Sequence, residues 1–510
     1  MKYDITLTLK SFSNKVHGMV QIQFQCTEST SEITLHAFPQ FLVVEHALLE
    51  NRLLDENEPL EFPFTNTTRQ TLTFKLKDEL IESHVYYLSI WYSTRFNTHR
   101  NGMIKNKDMI SKTLWIHTLL EPRYARTIFP CFDEPKYRAS FKLEIWLEGK
   151  WADESITALS ATPSKTTSWN SNLTIWEFDP TPPIPPYIFS FSVGKFESYC
   201  EAATEVNDEV CLWRLHNRND WNATAAVIVE QIRKYQRAMI EYLGVEPKAR
   251  LHVMIVPTKL RGMENHGLLI VNENLYFDFK NKEKFNTFMK TLYHELAHQW
   301  FGNLVTMEFW DHVWLAEGFT TFLSRTRPIV FDSVWDMSIL PIVDKSWALN
   351  LPDIAYTKAS SILEMLSSII GEDKLKLALQ AYVKRYQYKA ATTEDFLEIV
   401  LEITRALDAL KFLKSWLYTS SMPLVFIDYD HHNQTFTLSQ VGRMIKLVDN
   451  RWFVPVWTEC LAGSKPETLH WITPAEPLVL SLEDVTGTNS TDAVAFNRNR
   501  SVYYQISYRY

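Results

Sequence analysis

The sequence predicts a multidomain protein of the α+β class, with β structure at both ends and mostly helices between them. A chain of 510 residues is too long for a single hydrophobic core. Short runs in which apolar and polar residues alternate recur in residues 1–193 and 422–510. Between them, apolar residues recur at helical spacing over much of 285–417, so we expect three domains: 1–193, 194–421 and 422–510.

The N-terminal β domain is predicted from alternating segments at 33–36, 86–92 and 141–146. A cluster of five prolines between Pro180 and Pro186 follows them. Because proline cannot donate to a sheet ladder, this cluster is expected to be a stiff connector. A last strand, at 187–193, would then complete the domain.

The middle domain is predicted to begin with a helix at 225–243 that ends at Gly244. Strands are expected at 250–257 and 267–271, before the mainly helical region.

The C-terminal domain alternates again, at 425–429, 435–438 and 502–508. These short alternating runs predict a small β-sandwich.

Composition excludes some classes of function. The formal net charge of −8 argues against nucleic-acid binding, which calls for a basic face. No run of eighteen apolar residues occurs, so no membrane span is expected. Of the five cysteines, Cys200 and Cys211 are close enough in sequence for a local disulfide, and buried free thiols are the alternative.

A candidate metal site lies in the helical region, where His294, Glu295 and His298 form an H-E-x-x-H motif. Residues four apart share one helix face, so both imidazoles can reach the same ion. Zinc accepts such nitrogen ligands at about 2.0–2.1 Å, and Glu295 is placed to take a proton from water. The alternative is two solvent-facing histidines on an amphipathic helix.

A second helical stretch, around Glu317, supports the metal site. The Gly302-Asn303 pair is expected to end the first helix. Packed antiparallel, the second helix would return Glu317 beside the histidines as a third ligand. Three protein ligands and one open position are typical of catalytic zinc, so we expect one Zn²⁺ per chain.

These motifs resemble the gluzincin zinc aminopeptidases, the family of aminopeptidase N and the leukotriene hydrolases. Eighteen residues separate His298 from Glu317, and the segments 120–122 (Leu-Glu-Pro) and 129–135 (Phe-Pro-Cys-Phe-Asp-Glu-Pro) are similar to further family motifs. The resemblance implies a thermolysin-like catalytic domain at 194–421. It also implies release of N-terminal amino acids from peptide substrates with a free N-terminus.

The resemblance further implies roles for substrate-binding residues. Gly262, Met263, Glu264 and Asn265 align with the last four positions of the family's G-A-M-E-N motif, whose glutamate binds the α-amino group of the substrate. Arg261 replaces the first glycine of the motif, and Gly262 replaces its alanine. Tyr356 matches the tyrosine of Y-x-K-G-A, which donates to the developing oxyanion. A solvated Glu264 and a core Tyr356 are the alternatives.

Four departures from the family pattern bear on activity. The stretch from Glu317 to Tyr356 spans 39 positions, fewer than is usual. Leu119 stands where the family's T-Q-F-E-P motif has glutamine, and Ala316 and Ala359 replace an asparagine and a glycine. The sequence ends after the predicted β-sandwich, where the family continues into a helical domain. We therefore expect a truncated member with slow or no turnover.

The resulting hypothesis is a zinc-dependent aminopeptidase. The alternatives are a catalytically inactive peptide-binding paralogue that keeps zinc, an epoxide hydrolase similar to the leukotriene hydrolases, and an endopeptidase. The family and the Asn-x-Ser/Thr sequons favour an extracellular or membrane-associated location, while the lack of a signal peptide leaves a cytoplasmic one open. The sequons are at Asn66, Asn172, Asn222, Asn433, Asn489 and Asn499.

Overall fold

The structure, a computed structural model, describes residues 1–11, 13–97, 101–170, 172–201, 209–216, 222–247, 250–275, 282–324, 341–344, 353–443, 449–461, 465–487, 494–498 and 502–509. The sequons at Asn489 and Asn499 and most of the stretch between Glu317 and Tyr356 lie outside these residues. Within the described ranges, no helix is both long and apolar enough to cross a membrane.

The chain divides into two compact units. The first unit comprises Met1–Met239, Glu246–Thr306 and Tyr388–Ala390, and the second comprises Ile240–Val245, Met307–Gln387 and Ala391–Tyr510. Both units contain strands and helices, as the predicted α+β class requires. The predicted domain boundaries near 193 and 421 stay predictions.

The N-terminal part of the first unit is built almost wholly from strands. They are β1 (Lys2–Lys10), β2 (Lys15–Gln25), β3 (Thr30–His36), β4 (Val43–Asn51), β5 (Glu56–Pro59), β6 (Phe64–Asn66), β7 (Thr71–Leu80), β8 (Val85–Arg95), β9 (Gly102–Lys107), β10 (Leu114–Leu119), β11 (Ser140–Glu148), β12 (Thr157–Ser160), β13 (Ser164–Asn170), β14 (Leu173–Phe178) and β15 (Phe191–Gly194).

These strands form three sheets, in the orders β13-β14-β11-β1-β2-β8-β4-β5, β12-β15-β10-β9 and β3-β7-β6. Strand β1 shows why the sequence predicts them, since Tyr3, Ile5, Leu7 and Leu9 are all buried while the residues between them are more exposed. The strand predicted at 187–193 starts only at Phe191, because the residues Pro186–Ile188 form a 3₁₀ turn.

The rest of the first unit is a mixed sheet packed against two helices. Its elements are β16 (Phe196–Glu201), β17 (Val210–Leu215), α1 (Asn222–Leu243), β18 (Leu251–Val256), β19 (Gly262–Met263), β20 (Leu268–Asn272) and α2 (Lys282–Ala297). The sheet order is β16-β17-β18-β20-β19. Cys200 and Cys211 face each other across β16 and β17 and form a disulfide, which decides between the two alternatives for these cysteines.

The second unit contains most of the helices and the C-terminal strands. Its elements are α3 (Trp314–Leu323), α4 (Thr357–Ile370), α5 (Glu372–Tyr386), α6 (Thr393–Thr404), α7 (Leu407–Tyr418), β23 (Pro423–Asp430), β24 (Thr435–Gly442), β25 (Val454–Cys460), β26 (Thr468–Ile472), β27 (Leu478–Ser481), α8 (Leu482–Thr486), β28 (Val494–Phe496) and β29 (Gln505–Arg509). Along the sequence, the chain passes from one unit to the other within the short strands β21 (Thr306–Met307) and β22 (Ala390–Ala391).

The helices of the second unit enclose an aromatic core. Trp314 and Phe319 of α3 pack with Tyr382 of α5 and Phe396 of α6, with ring centroids 4.9–6.0 Å apart in the closest pairs. Strands β23 to β29 form two small sheets, ordered β27-β24-β23-β29 and β26-β25-β28. Two sheets are the composition expected of the predicted β-sandwich.

Candidate functional site

Helix α2 holds the two histidines of the H-E-x-x-H motif on a rigid support. Phe288, Leu292 and Leu296 are fully buried against strands β17, β18 and β20 and against α1. The ring of Tyr293 stacks on Tyr235 of α1, with centroids 4.7 Å apart. The apolar face of α2 is thereby fixed, and this fixes the direction in which the motif residues point.

The two imidazoles converge as a metal site requires. Nε2 of His294 and Nε2 of His298 lie 3.1 Å apart, and Nδ1 of His298 faces the carbonyl oxygen of Phe301 at 2.9 Å. Donation from Nδ1 to this carbonyl would direct the lone pair of Nε2 toward a metal ion. Two bonds of about 2.0–2.1 Å at a tetrahedral angle would separate two nitrogens by about 3.4 Å, so this pair fits one zinc ion.

The alternative of two solvent-facing histidines is wrong for this helix. His298 is 1% exposed and His294 is half-buried. One buried and one half-buried imidazole with converging nitrogens do not form a hydrated helix face, and they are compatible with a metal-ligand pair.

Two buried carboxylates lie beside His298. Glu264 is 4% exposed and Glu295 is 6% exposed. One potential ligand atom of each, together with one of His298, lies within 4.8 Å of the others. A solvated Glu264 was the alternative to amine recognition, and the burial of this side chain contradicts it. Buried acidic groups of this kind concentrate at functional sites.

Gly262 provides room for the side chain of Glu295. A β-carbon built at residue 262 would lie 2.5 Å from Cδ of Glu295. The glycine that departs from the family's alanine therefore lets the carboxylate lie directly against strand β19. Sequence comparison of the motif alone gives no indication of this contact, because 33 positions separate the two residues.

The chain after α2 fixes the position of Glu264. The side-chain amide of Asn303 donates to the carbonyl oxygen of Glu264 at 2.8 Å, and that of Gln299 donates to the same oxygen at 3.4 Å. Asn303 is 1% exposed and Gln299 is 6% exposed. Sequence reasoning did not identify these two residues. The sequence feature that could have indicated them is that both are polar residues directly after a helix with an apolar face.

An unusual turn brings Asn303 to this position. The helix was predicted to end near Gly302, but α2 ends five residues earlier, at Ala297, and wider turns follow it. The backbone N–H groups of Asn303, Leu304 and Val305 donate to the carbonyls five residues earlier, at 3.0–3.2 Å. Such wide turns are frequent at functional sites. Gly302 has a φ of +116°, which a residue with a side chain rarely adopts.

The remaining residues of the 262–265 motif are also buried. Met263 is 1% exposed and pairs with Ile270 in the β19–β20 ladder. Asn265 is fully buried, and its side-chain amide has no hydrogen-bond partner among the described residues. An unsatisfied buried amide at this place is consistent with a site that binds a polar ligand.

The other two predicted site residues belong to the second unit. Glu317 lies on α3 and is 3% exposed. The start of α3 is fixed by Thr393, whose hydroxyl accepts from Nε1 of Trp314 at 2.9 Å and lies 2.9 Å from Nδ1 of His312. Tyr356 is half-buried and immediately precedes α4. The structure thus gathers the histidines, Glu264 and Glu295 within the first unit. In the second unit, Glu317 lies on α3 and Tyr356 lies directly before α4.

A fully buried lysine anchors the beginning of α4. Nζ of Lys358 donates to the carbonyl oxygens of Thr419 at 3.2 Å and Ser421 at 2.5 Å. Burying an ammonium is unfavourable unless it is hydrogen-bonded, so these bonds fix the helix start that follows Tyr356.

Helices α3 and α4 approach closely at Gly318 and Ala359. A β-carbon built at residue 318 would lie 2.8 Å from Cβ of Ala359. We therefore expect Gly318→Ala to lower the free energy of unfolding by about 1–3 kcal/mol, which is typical of overpacking. Chemical denaturation would measure it. The double variant Gly318→Ala/Ala359→Gly is expected to recover most of the loss, and equal instability of the single and double variants would contradict this account of the contact.

The chain matches two domains of a known protein family. Residues 1–188 match the Peptidase M1 N-terminal domain, and residues 230–350 and 344–416 match the Peptidase family M1 domain. Aminopeptidase N of Rattus norvegicus is 25% identical over 556 residues, which cover 96% of this chain and 55% of the relative. Aminopeptidase 2 of Candida albicans is 26% identical over 528 residues, which cover 97% of this chain and 53% of the relative.

A plant aminopeptidase is similar to this chain as well. Aminopeptidase M1-A of Oryza sativa subsp. japonica is 28% identical over 471 residues, which cover 86% of this chain and 50% of the relative. The chain spans about half the length of the curated relatives it matches. The matched domains define the class as peptidases. Within that class, the chain belongs to the M1 family of gluzincin aminopeptidases, as its motifs predicted.

Proposed function

We propose that this chain is a zinc-dependent aminopeptidase that releases N-terminal amino acids from peptides. The observation that carries the proposal is the convergence of the two imidazole Nε2 atoms, 3.1 Å apart, beside the buried carboxylates of Glu264 and Glu295. The names of the similar proteins support the same activity. The proposed partners are peptides with a free N-terminus, and the net charge of −8 disfavours nucleic acid.

Three residues are proposed to hold one Zn²⁺: His294, His298 and Glu317. The buried Glu317 carboxylate would complete a ligand set of two neutral nitrogens and one oxygen, which suits zinc. When bound, the ion supplies Lewis-acid chemistry, polarising a carbonyl and lowering the pKa of water.

Glu295 is proposed as the general base. Glu295 is the residue after His294 on α2, and its side chain is buried. A proton that its carboxylate takes from water would therefore stay within the site. The same carboxyl group then passes the proton to the departing amine, because peptide-bond cleavage releases an amine that needs one. The room that Gly262 leaves for this side chain defines where the base lies.

Glu264 is proposed to bind the α-amino group of the substrate. A buried carboxylate opposite an ammonium forms a strong charge-assisted hydrogen bond. Since the backbone of Glu264 is held by Asn303 and Gln299, the distance from amine to scissile bond would be limited to one residue. Tyr356 is proposed to donate its phenol to the negative charge that develops on the carbonyl oxygen.

An inactive zinc-binding peptide binder is the second candidate. Leu119, at the position of the family's glutamine, is 2% exposed on β10 and offers no hydrogen bond to an amine. The loss of that contact would weaken substrate positioning while leaving the proposed ligands in place. Turnover by zinc-loaded protein distinguishes the two candidates.

The role of Glu264 has its own test. We expect Glu264→Gln to lower kcat/KM for amino-acid 4-nitroanilides by roughly 100-fold, since the variant loses a buried charge opposite an ammonium. Steady-state kinetics with the N-acetylated anilides provide the control: the wild type should reject them. A Glu264→Gln variant with the kcat/KM of the wild type on the anilides that carry a free amine would contradict amine recognition by this residue.

A further inference from the structure

A cavity separate from the candidate metal site lies in the N-terminal β part of the first unit. It has a volume of about 730 Å³, within the range of small-molecule sites. It is lined by the loop between β3 and β4, by the residues at and after the end of β8, and by the segment after β10. Asn14, between β1 and β2, and Gln70, between β6 and β7, complete the lining. None of the residues proposed for zinc or peptide binding lines it.

The cavity combines positive charge with aromatic walls. Arg95 and Arg123 line it together with Phe38, Phe41 and Tyr124, and none of the described lining residues is Asp or Glu. Within the described part of the chain, neither guanidinium forms an ion pair with a carboxylate. The described lining of this cavity is therefore positively charged, which favours an anionic ligand over a cationic one.

Arg95 packs on an aromatic wall of the cavity, and Arg123 is partly removed from solvent beside another cation. The guanidinium of Arg95 lies over the ring of Phe41, 4.7 Å from its centroid. Burial, together with the charge of nearby Arg126, lowers the pKa of Arg123. Arg126 itself is paired with Asp133 at 2.8 Å and is not available to a ligand in the same way. The two lining arginines are therefore the cations that a ligand would meet.

The walls are also fixed by backbone contacts. The N–H of Phe38 donates to the carbonyl of Arg126, and the N–H of Phe41 donates to that of Phe38, both at 2.9 Å. The hydroxyl of Thr127 donates to the carbonyl of Tyr124 at 2.6 Å. The rings of Phe38 and Phe41 meet edge to face, with centroids 5.3 Å apart. A cavity held in this way needs little reorganisation to bind a ligand.

We propose that this cavity binds an organic anion in which a carboxylate is joined to an aromatic group. The carboxylate pairs with the guanidinium groups, which match its planar geometry. The aromatic group packs against the phenyl and phenol rings of the wall. A free aromatic acid and the C-terminal residue of a peptide share this chemistry. The proposal does not depend on peptidase activity.

Binding of N-acetyl-L-phenylalanine to the full, zinc-loaded chain tests the proposal. Its blocked amino group prevents recognition by Glu264, and N-acetyl-L-phenylalaninamide is the uncharged control ligand. By isothermal titration calorimetry, we expect the acid to bind at least about tenfold more tightly than the amide. Arg95→Gln and Arg123→Gln are each expected to weaken binding of the acid by about tenfold or more.

Arg52→Gln is the matched control variant. Arg52 also lies over an aromatic ring, 3.8 Å from the centroid of Tyr87, but does not line the cavity. Its substitution should leave the affinity unchanged, and circular dichroism checks that all variants are folded. Equal affinity for acid and amide, or an affinity that neither lining arginine affects, would overturn the proposal. Comparing 3-phenylpropionate with acetyl-Gly-Gly-Phe identifies which source of the anion fits better.

Discussion

Glu295→Gln is expected to reduce kcat on amino-acid 4-nitroanilides by about 10³-fold, within the range for loss of a general base. Glutamine keeps the size of the side chain and can still lie against Gly262, so the packing of α2 should not change. The loss is therefore expected in kcat, with little change in KM. Steady-state kinetics on wild type and variant, both at saturating zinc, measure it.

Zinc content and thermal unfolding separate this catalytic effect from a structural one. The variant should bind as much zinc as the wild type and unfold at a similar temperature, since Glu295 is not a proposed ligand. Glu308→Gln, at an exposed glutamate, is the control for a neutralised carboxylate and should leave kcat unchanged. A Glu295→Gln variant with wild-type kcat would show that the base is another group.

His298→Ala is expected to weaken zinc binding by more than about 100-fold, since even the hydrogen-bond partners of zinc ligands contribute about 10–100-fold. The substitution removes one of the two convergent Nε2 atoms and also the bond from Nδ1 to Phe301. Turnover should be lost with the metal. Competition with a chromophoric chelator measures the affinity directly, independently of any substrate.

The exposed His432, on the turn between β23 and β24, provides the matched control. His432→Ala should keep wild-type affinity for zinc. The outcome that contradicts the proposed site is a His298→Ala variant that keeps stoichiometric zinc at the same affinity. Such a result would place the metal on other residues.

The sequence predicted local structure where burial follows a simple period. The alternation predicted at 141–146 corresponds to Phe141, Leu143 and Ile145 facing the core, and helical spacing predicted α1 within a few residues of its observed bounds. The predictions were less accurate where backbone chemistry overrides the pattern. The 3₁₀ turn Pro186–Ile188 delays β15, and the wide turns after Ala297 shorten α2.

The candidate metal-binding residues could be predicted from the sequence more readily than the residues that hold the site in position. The spacing of His294 and His298 is local, so one helix brings their nitrogens together without help from distant residues. The contacts of Glu264 with Asn303, and of Glu295 with Gly262, join residues more than 30 positions apart. Such contacts depend on how α2 packs against the sheet, which no local period encodes.

The central claim is that one zinc ion per chain supports removal of N-terminal residues. Its most direct test is titration of metal-free protein with Zn²⁺ while hydrolysis of a panel of amino-acid 4-nitroanilides is followed. The account predicts turnover that rises linearly and reaches a plateau at one equivalent, with no hydrolysis of the N-acetylated anilides. Stoichiometric zinc binding without turnover of any substrate in the panel would contradict it and would favour the inactive peptide binder.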